Sequence, residues 1–146
     1  MRHILATIVF ALIALTGPAI AQSEEDVMQQ IENLHGKSTE FGDAFAQLQD
    51  AFLFDDPTAI ADLGLYPIAV NANGETYDIV DAQDLVDNFD SLLSEQTMAA
   101  LASQEFADLI VTSEGVGFAN GALWMSLVCT DDSCSDSVWG IVSINN

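Results

Sequence analysis

The spacing of apolar residues changes along this 146-residue chain, and the change falls at about Phe106. Before Phe106 the apolar residues recur mainly at helical spacing, interrupted by two short extended segments at residues 66–70 and 75–80. After Phe106 they alternate with a period of two, which is typical of strands. Helices first and a run of strands last predict an α+β fold, with N-terminal helices packed on a mainly antiparallel sheet.

The predicted helices begin at residues that accept hydrogen bonds from free backbone N–H groups. Ser23 is such an N-cap, with Asp26 placed to complete a capping box. Asp56, Asp81 and Ser94 are the N-caps predicted for later helices. The second helix shows the strongest amphipathic stripe in the chain, formed by Phe41, Phe45, Leu48 and Phe52. The predicted helices are residues 23–34, 39–54, 56–63, 81–93 and 94–103, and Gly64 is predicted to lie just beyond the end of the third.

Four strands are predicted after the change of period, at residues 106–112, 115–119, 122–129 and 137–144. Asn120 and Gly121 predict a two-residue type I′ turn between the second and third of these strands. Pro67 lacks a backbone N–H, and this restricts the earlier segment 66–70 to an edge strand or a strand start.

The strand at residues 122–129 is apolar on both of its faces. Leu123 and Met125 alternate with Trp124 and Val128, so apolar side chains are expected on each side of the sheet. Helices on one side leave the other side to be covered, which predicts a homodimer through the outer sheet face. A loop or the first helix lying over Trp124 is an equally weighted alternative.

The first 21 residues have the pattern of a secretory signal peptide. A positive charge at Arg2 precedes an apolar run at residues 4–15, and Ala19-Ile20-Ala21 provides a cleavage site. We therefore expect a single secreted domain of residues 22–146, with the periplasm as its compartment. No later stretch approaches the roughly 20 apolar residues of a membrane-spanning helix, so no membrane association is expected after cleavage.

The expected domain is strongly acidic. All 23 Asp and Glu residues follow residue 21 and Lys37 is the only Lys or Arg there, which leaves a formal charge of −22. Such a surface repels phosphate backbones, so nucleic acid is not an expected partner. The acids are scattered, which favours a solvated surface suited to salt over a docking face for a cationic partner. His35 lies with Lys37 at a predicted helix end, where capping is favoured over catalysis.

The two cysteines, Cys129 and Cys134, flank the sequence TDDS. In an oxidising compartment they are expected to form a disulfide across a four-residue hairpin loop. Zinc needs more Cys and His ligands than the domain offers, and the loop lacks the EF-hand pattern, leaving at most a weak cation site. No phosphate-binding, dinucleotide or nucleophile motif is present, and no cofactor or metal is expected.

Three segments carry a family resemblance: residues 45–71, which end in YPIAVN, residues 115–129, GVGFANGALWMSLVC, and residues 141–146, IVSINN. They resemble the NTF2-like, or SnoaL-like, superfamily and in particular a group of its secreted bacterial members. The resemblance implies a cone-shaped α+β fold with a curved sheet, a deep pocket between the helices and the concave sheet face, and often a dimer packed through the sheets. Its members include isomerases, dehydratases, cyclases, hydrolases and binding modules, so the fold alone does not select a function.

The implied pocket has an expected lining of aromatic residues and a short list of polar candidates. Enzymes of the superfamily usually place a His, Asp or Tyr there, and this chain has no His on a predicted strand. Asp78 and Asp90 are the candidate acids, but Tyr77 and Asp78 are predicted to lie on opposite faces. The expected lining residues are Phe45, Tyr66, Tyr77, Phe89, Phe118, Trp124 and Trp139.

The sequence therefore predicts a non-catalytic module that binds a small apolar ligand or a protein. A small isomerase or hydrolase using a pocket Asp or Tyr is one alternative. An acidic inhibitor or chaperone of a basic protein, such as a lysozyme, is another. A closed, apolar pocket lined by Phe, Trp and one inward carboxylate would favour an enzyme or a ligand binder, whereas a filled pocket with a flat acidic face would favour the inhibitor of a basic partner.

Overall fold

The computed structural model of the chain describes residues 22–146. The predicted signal peptide, residues 1–21, lies outside this range. The described part contains the α-helices α1 (Glu24–Leu34), α2 (Ser38–Leu53), α3 (Pro57–Asp62), α4 (Ala82–Leu92) and α5 (Glu95–Ala102). Its strands are β1 (Gly64–Ala72), β2 (Glu75–Ile79), β3 (Ile110–Thr112), β4 (Gly115–Phe118), β5 (Leu123–Cys129) and β6 (Ser137–Asn145).

The six strands form one curved, open sheet in the order β2-β1-β6-β5-β4-β3. Only β1 and β6 pair in parallel, and the remaining neighbours are antiparallel. The helices pack against the sheet. The predicted α+β class and the mainly antiparallel sheet are therefore confirmed.

The helix starts follow the predicted caps. Ser23 Oγ accepts the backbone N–H of Asp26 at 3.1 Å, and Asp26 accepts the backbone N–H of Ser23 at 3.1 Å, which completes the capping box. Side chains of Asp56, Asp81 and Ser94 cap α3, α4 and α5 in the same way. These contacts satisfy N–H groups that have no partner within the helix.

One predicted element boundary is wrong, and one strand begins earlier than predicted. Helix α3 ends at Asp62 with Leu63 as its C-cap, so Gly64 follows the cap as predicted, but β1 already begins at Gly64 rather than at Tyr66. Phe106 does not begin a strand, because Phe106–Asp108 forms a 3₁₀ turn and β3 starts only at Ile110. The Phe106 ring packs edge-on against Phe41 and Phe45, and this contact favours the turn over an extended segment.

The prediction that Pro67 restricts its segment to an edge strand or a strand start also needs correction. Strand β1 is nine residues long and lies inside the sheet, between β2 and β6. The pairing with β2 begins only at Ile68, and the register with β6 shifts between Gly64 and Ala69. Pro67 therefore lies where the ladder is interrupted, so its missing N–H leaves no paired carbonyl without a donor.

The turn predicted at Asn120 and Gly121 starts one residue earlier than expected. Ala119, Asn120 and Gly121 all have positive φ angles, of 46°, 57° and 87°. Phe118 pairs with Leu123, so the connection is longer than the two residues of a type I′ turn. The Asn-Gly pair still provides left-handed backbone, but the Ala before it shares that conformation.

The disulfide between Cys129 and Cys134 is present, with their Cα atoms 4.8 Å apart. The predicted position in the hairpin is wrong, because Cys129 pairs with Ser137 and Cys134 lies inside the loop with a φ of 53°. Asp131 in this loop accepts hydrogen bonds from the Ser133 and Ser135 hydroxyls and from the Ser135 N–H. The disulfide therefore closes the loop on itself beyond the last strand pair.

Candidate functional site

The interior between α2 and the sheet is filled by aromatic rings. Phe41, which is fully buried, lies with its ring centroid 5.0 Å from that of Trp139 and 6.2 Å from that of Phe118. Phe45 and Phe106 complete the cluster, with centroids 4.9 Å apart. Edge-to-face and tilted arrangements at these distances are those in which aromatic rings attract each other. These side chains pack against one another between α2 and the sheet, where the family resemblance implies a pocket.

Some of the expected lining residues meet and others do not. Phe45 stacks on Phe118 with centroids 5.9 Å apart, and Trp139 joins this pair through Phe41. Phe89 packs in a different place, against Phe52, with centroids 6.4 Å apart. The lining residues of the core thus divide between two ends of the helix layer.

The remaining expected lining residues lie at three further places. Tyr66 is half-buried, and its hydroxyl donates to the Ala61 carbonyl at 2.7 Å. Burial raises the pKa of the Tyr66 hydroxyl, and the charges of nearby Asp62 and Asp81 raise it further. Tyr77 is exposed on the edge strand β2. Trp124 lies on the outer face of the sheet, so these three side chains share no site with the core rings.

The candidate acids are both on the surface. Asp78 pairs with Ala69, whereas Tyr77 pairs with the buried Val70, so Asp78 and Tyr77 point to opposite faces as predicted. Asp90 is exposed on α4. Within residues 22–146 no polar or charged residue is buried. Neither candidate acid is therefore enclosed by the described domain.

Few of the surface carboxylates are paired with a positive charge from the same chain. Lys37 Nζ lies 3.3 Å from Asp136 Oδ1 and donates to the Ser137 carbonyl at 2.8 Å, and this is the single ion pair among the described residues. In the same part of the chain, no three His, Cys, Asp or Glu side chains are grouped to hold a metal ion. The other carboxylates therefore face solvent without a Lys or Arg partner.

One concave surface combines exposed carboxylates with exposed apolar area, and we call it the Phe54 groove. It is an open cavity of ≈ 360 Å³ between the C-terminal end of α2 and α3. Phe54 is 75% exposed, although it directly follows a helix whose other Phe side chains pack inward. The groove is lined by Gln47, Asp50, Ala51, Phe54, Asp56, Ala59, Asp62 and Leu63.

The backbone around the Phe54 groove is held by local hydrogen bonds. The Asp56 N–H donates to the Ala51 carbonyl at 2.9 Å, and Asp56 Oδ1 accepts the Ala59 N–H at 3.0 Å. The second oxygen of the Asp56 carboxylate is left for a partner outside the chain. Pro57 follows as the first residue of α3, where its missing N–H costs nothing. The turn that presents Phe54 is thus fixed by the helix ends on either side.

The Phe54 groove is not among the sites predicted from the sequence. Its signal was nevertheless present, because Phe54 lies off the stripe formed by Phe41, Phe45 and Phe52 and is followed by Asp55 and Asp56. A large apolar residue off the buried stripe, next to carboxylates, predicts exposed apolar area beside negative charge.

The outer face of the sheet differs from the groove in its charge. Strands β3–β6 contain no Asp, Glu, Lys or Arg. The Trp124 indole lies over Gly117, where an added Cβ would be 3.0 Å from the ring, and its Nε1 donates to the Gly121 carbonyl at 3.0 Å. Val128 and Val138 form an exposed cross-strand pair farther along the same face. The half-burial of Trp124 thus comes partly from the neighbouring strand and turn.

None of the helices found in residues 22–146 has the length and apolar character required to cross a bilayer. Comparison of the chain with protein-family models, with curated proteins and with solved structures finds no match. The resemblance to the NTF2-like superfamily therefore stays a prediction from the sequence.

Proposed function

We propose that this chain is a secreted, non-catalytic module that binds a basic protein. The observation that carries the proposal is the contrast between its interior and its surface. Aromatic rings occupy the place expected for a ligand pocket, whereas 23 carboxylates and one lysine make up the Asp, Glu, Lys and Arg side chains of residues 22–146. A filled interior favours a protein partner over a small ligand, and the charge selects a partner of opposite sign.

The enzyme alternatives have less support. The Tyr66 hydroxyl already donates to a backbone carbonyl, and a raised pKa keeps it protonated. Asp78 and Asp90 are exposed and lie on separate elements, so they form no acid and base pair around an enclosed substrate.

Secretion is part of the proposal. The disulfide at Cys129 and Cys134 is of the kind that persists in oxidising compartments and is rare in the cytosol. The sequence of residues 1–21 has the three regions of a signal peptide. A secreted acidic domain would meet basic proteins outside the cytoplasm, where nucleic acids do not compete for them.

The test uses residues 22–146 with the disulfide formed, titrated by calorimetry against lysozyme as a basic probe. We expect saturable binding at about 0.1 M salt, weaker at about 1 M, where the Debye length falls from about 10 Å to about 3 Å. Acetylated lysozyme is the matched control, because acetylation removes the lysine charges. No saturable binding, or equal binding of acetylated lysozyme, would overturn the proposal.

A further inference from the structure

We propose that the Phe54 groove is the docking site for the basic partner, and that it takes a segment in which a large apolar side chain is flanked by Arg or Lys. This inference rests on the proposed function and gives it a location. It adds that the interaction depends on one apolar contact as well as on charge.

The apolar half of the site is the end of α2. Phe54 lines the cavity and is 75% exposed, and Leu53, which is outside the cavity lining, is 61% exposed. Ala51 and Ala59 line the same cavity, and their small side chains leave room for a side chain from outside. Exposed aromatic residues beside a concavity are frequent anchors of protein interfaces, because closing the contact removes apolar area from water.

The charged half of the site is its rim. Asp50, Asp56 and Asp62 line the cavity, and Asp55 precedes Asp56 on the same turn. The single ion pair of the described residues lies elsewhere, at Lys37 and Asp136, so the rim lacks a cation from its own chain. Guanidinium groups bind carboxylates through two parallel hydrogen bonds and also stack on aromatic faces. Arg is therefore the side chain that satisfies both the rim and the Phe54 ring.

The size of the cavity limits what enters it. A volume of ≈ 360 Å³ lies at the lower end of the roughly 300–1,000 Å³ range of small-molecule sites. Such a groove holds a few side chains of an extended or helical segment rather than a folded domain. The negative rim repels an acidic segment, and a purely cationic segment would leave Phe54 in water.

A second cavity also combines an acid with an exposed apolar side chain, Asp108 with Ile110, but Ile110 is only 39% exposed, compared with 75% for Phe54. Asp43 on α2 and Asp90 on α4 are exposed, but neither lines the Phe54 groove. They supply a matched control, since replacing them by Asn removes the same charge as replacing Asp50 and Asp62. Asp56 is left unchanged in the test because its carboxylate caps α3.

The experiment measures binding of a fluorescein-labelled peptide of Arg, Leu and Phe to residues 22–146 by anisotropy, with lysozyme titrated in parallel. We expect Phe54→Ser to weaken peptide binding about tenfold or more, as for a moderate interface hot spot. Asp50→Asn/Asp62→Asn should weaken binding clearly more than Asp43→Asn/Asp90→Asn. Backbone amide shifts on peptide addition should concentrate at the end of α2 and in α3.

The outcomes distinguish a failure of the groove proposal from a failure of the proposed function. If lysozyme binds but the peptide does not, or if Phe54→Ser and Asp50→Asn/Asp62→Asn bind both probes like the unmodified protein, the groove is overturned and the proposed function stands. A peptide in which Ser replaces Leu and Phe should bind at least about tenfold more weakly, and equal binding would overturn the apolar anchor. If neither lysozyme nor the peptide binds, both proposals fail.

Discussion

The helix layer and the outer sheet face of this domain differ in charge. Twelve of the 23 acidic residues lie in α1–α5, whereas β3–β6 have none, so each layer presents a different chemistry to solvent. The acidic helices attract cations and repel a second copy of the chain. The part of the outer sheet face formed by β3–β6 is uncharged and exposes Val128, Val138 and part of Trp124, whereas Asp78 on β2 points to the same side of the sheet. A basic partner and a second copy of the chain would therefore use separate surfaces.

Substitutions where the helix layer contacts the sheet should reduce the stability of the domain most. Phe41→Ala removes a fully buried ring that touches both the helices and the sheet, and we expect it to lower the free energy of unfolding by about 3–5 kcal/mol. Phe54→Ala on the exposed turn is the control and should stay within about 0.5 kcal/mol of the parent. Urea unfolding measures both, and similar losses for the two variants would contradict the burial difference.

The sequence predicts a homodimer that forms through the outer sheet face, and a substitution on that face tests this prediction. If two copies pack there, Val128→Asp would place like charges opposite each other and raise the dimer dissociation constant by about a hundredfold or more. Val80→Asp adds the same charge at a 63% exposed Val beyond β2 and should leave the dimer intact. Sedimentation equilibrium and native mass spectrometry measure this. A monomeric parent protein would show that the sheet face stays uncovered.

The disulfide should stabilise the domain without taking part in binding. Cys129→Ser/Cys134→Ser reopens a short loop in the unfolded chain, and we expect a loss of about 2 kcal/mol in the free energy of unfolding. The parent protein treated with a reductant should lose the same amount. Thermal and urea unfolding give the stability, and lysozyme titration gives the binding. Weaker lysozyme binding at unchanged stability would show that the loop belongs to a binding site.

The smallest expected effect is a change in the pKa of the Asp131 carboxyl group. Hydrogen bonds from the Ser135 hydroxyl, then from the Ser133 hydroxyl and the Ser135 N–H, hold the pKa of the Asp131 carboxyl well below its usual value of 3.8. A lowered pKa in the folded state means that this stabilisation is complete above pH 3.8 and is lost as the pH falls toward the folded-state pKa.

Ser135→Ala should therefore move the pKa of Asp131 upward, toward 3.8. Carbon-detected NMR of the carboxyl group follows the titration directly. Asp131→Asn is the control, and it should remove this part of the acid dependence of stability. An unchanged Asp131 pKa in Ser135→Ala would show that other groups depress it.

Much of the local structure was predictable because it depends on neighbours in the chain. The caps at Ser23, Asp56, Asp81 and Ser94 form as predicted, since each involves a backbone N–H only three residues away. The faces of β5 were also predictable, because Leu123 and Met125 must point away from Trp124 on a pleated strand.

The predictions that were wrong concern features that depend on residues far away in the sequence. Phe106 forms a 3₁₀ turn because its ring packs on α2, which lies far away in sequence. Pro67 lies inside the sheet because the β1 and β6 registers shift beside it. The disulfide partners were identified correctly, but the loop around Cys134 is longer than its sequence suggested. Local patterns do not contain these contacts.

The charge, the helix caps, the two faces of the late strands and the cysteine pairing follow from the amino-acid sequence alone. The tertiary structure was needed to show that aromatic rings from α2, β4 and β6 pack against one another, and that Phe54 stays in solvent beside Asp50, Asp56 and Asp62. Periodicity indicates which face of an element is apolar. How closely that face approaches the next element, and whether their side chains leave space between them, depends on packing across the whole domain.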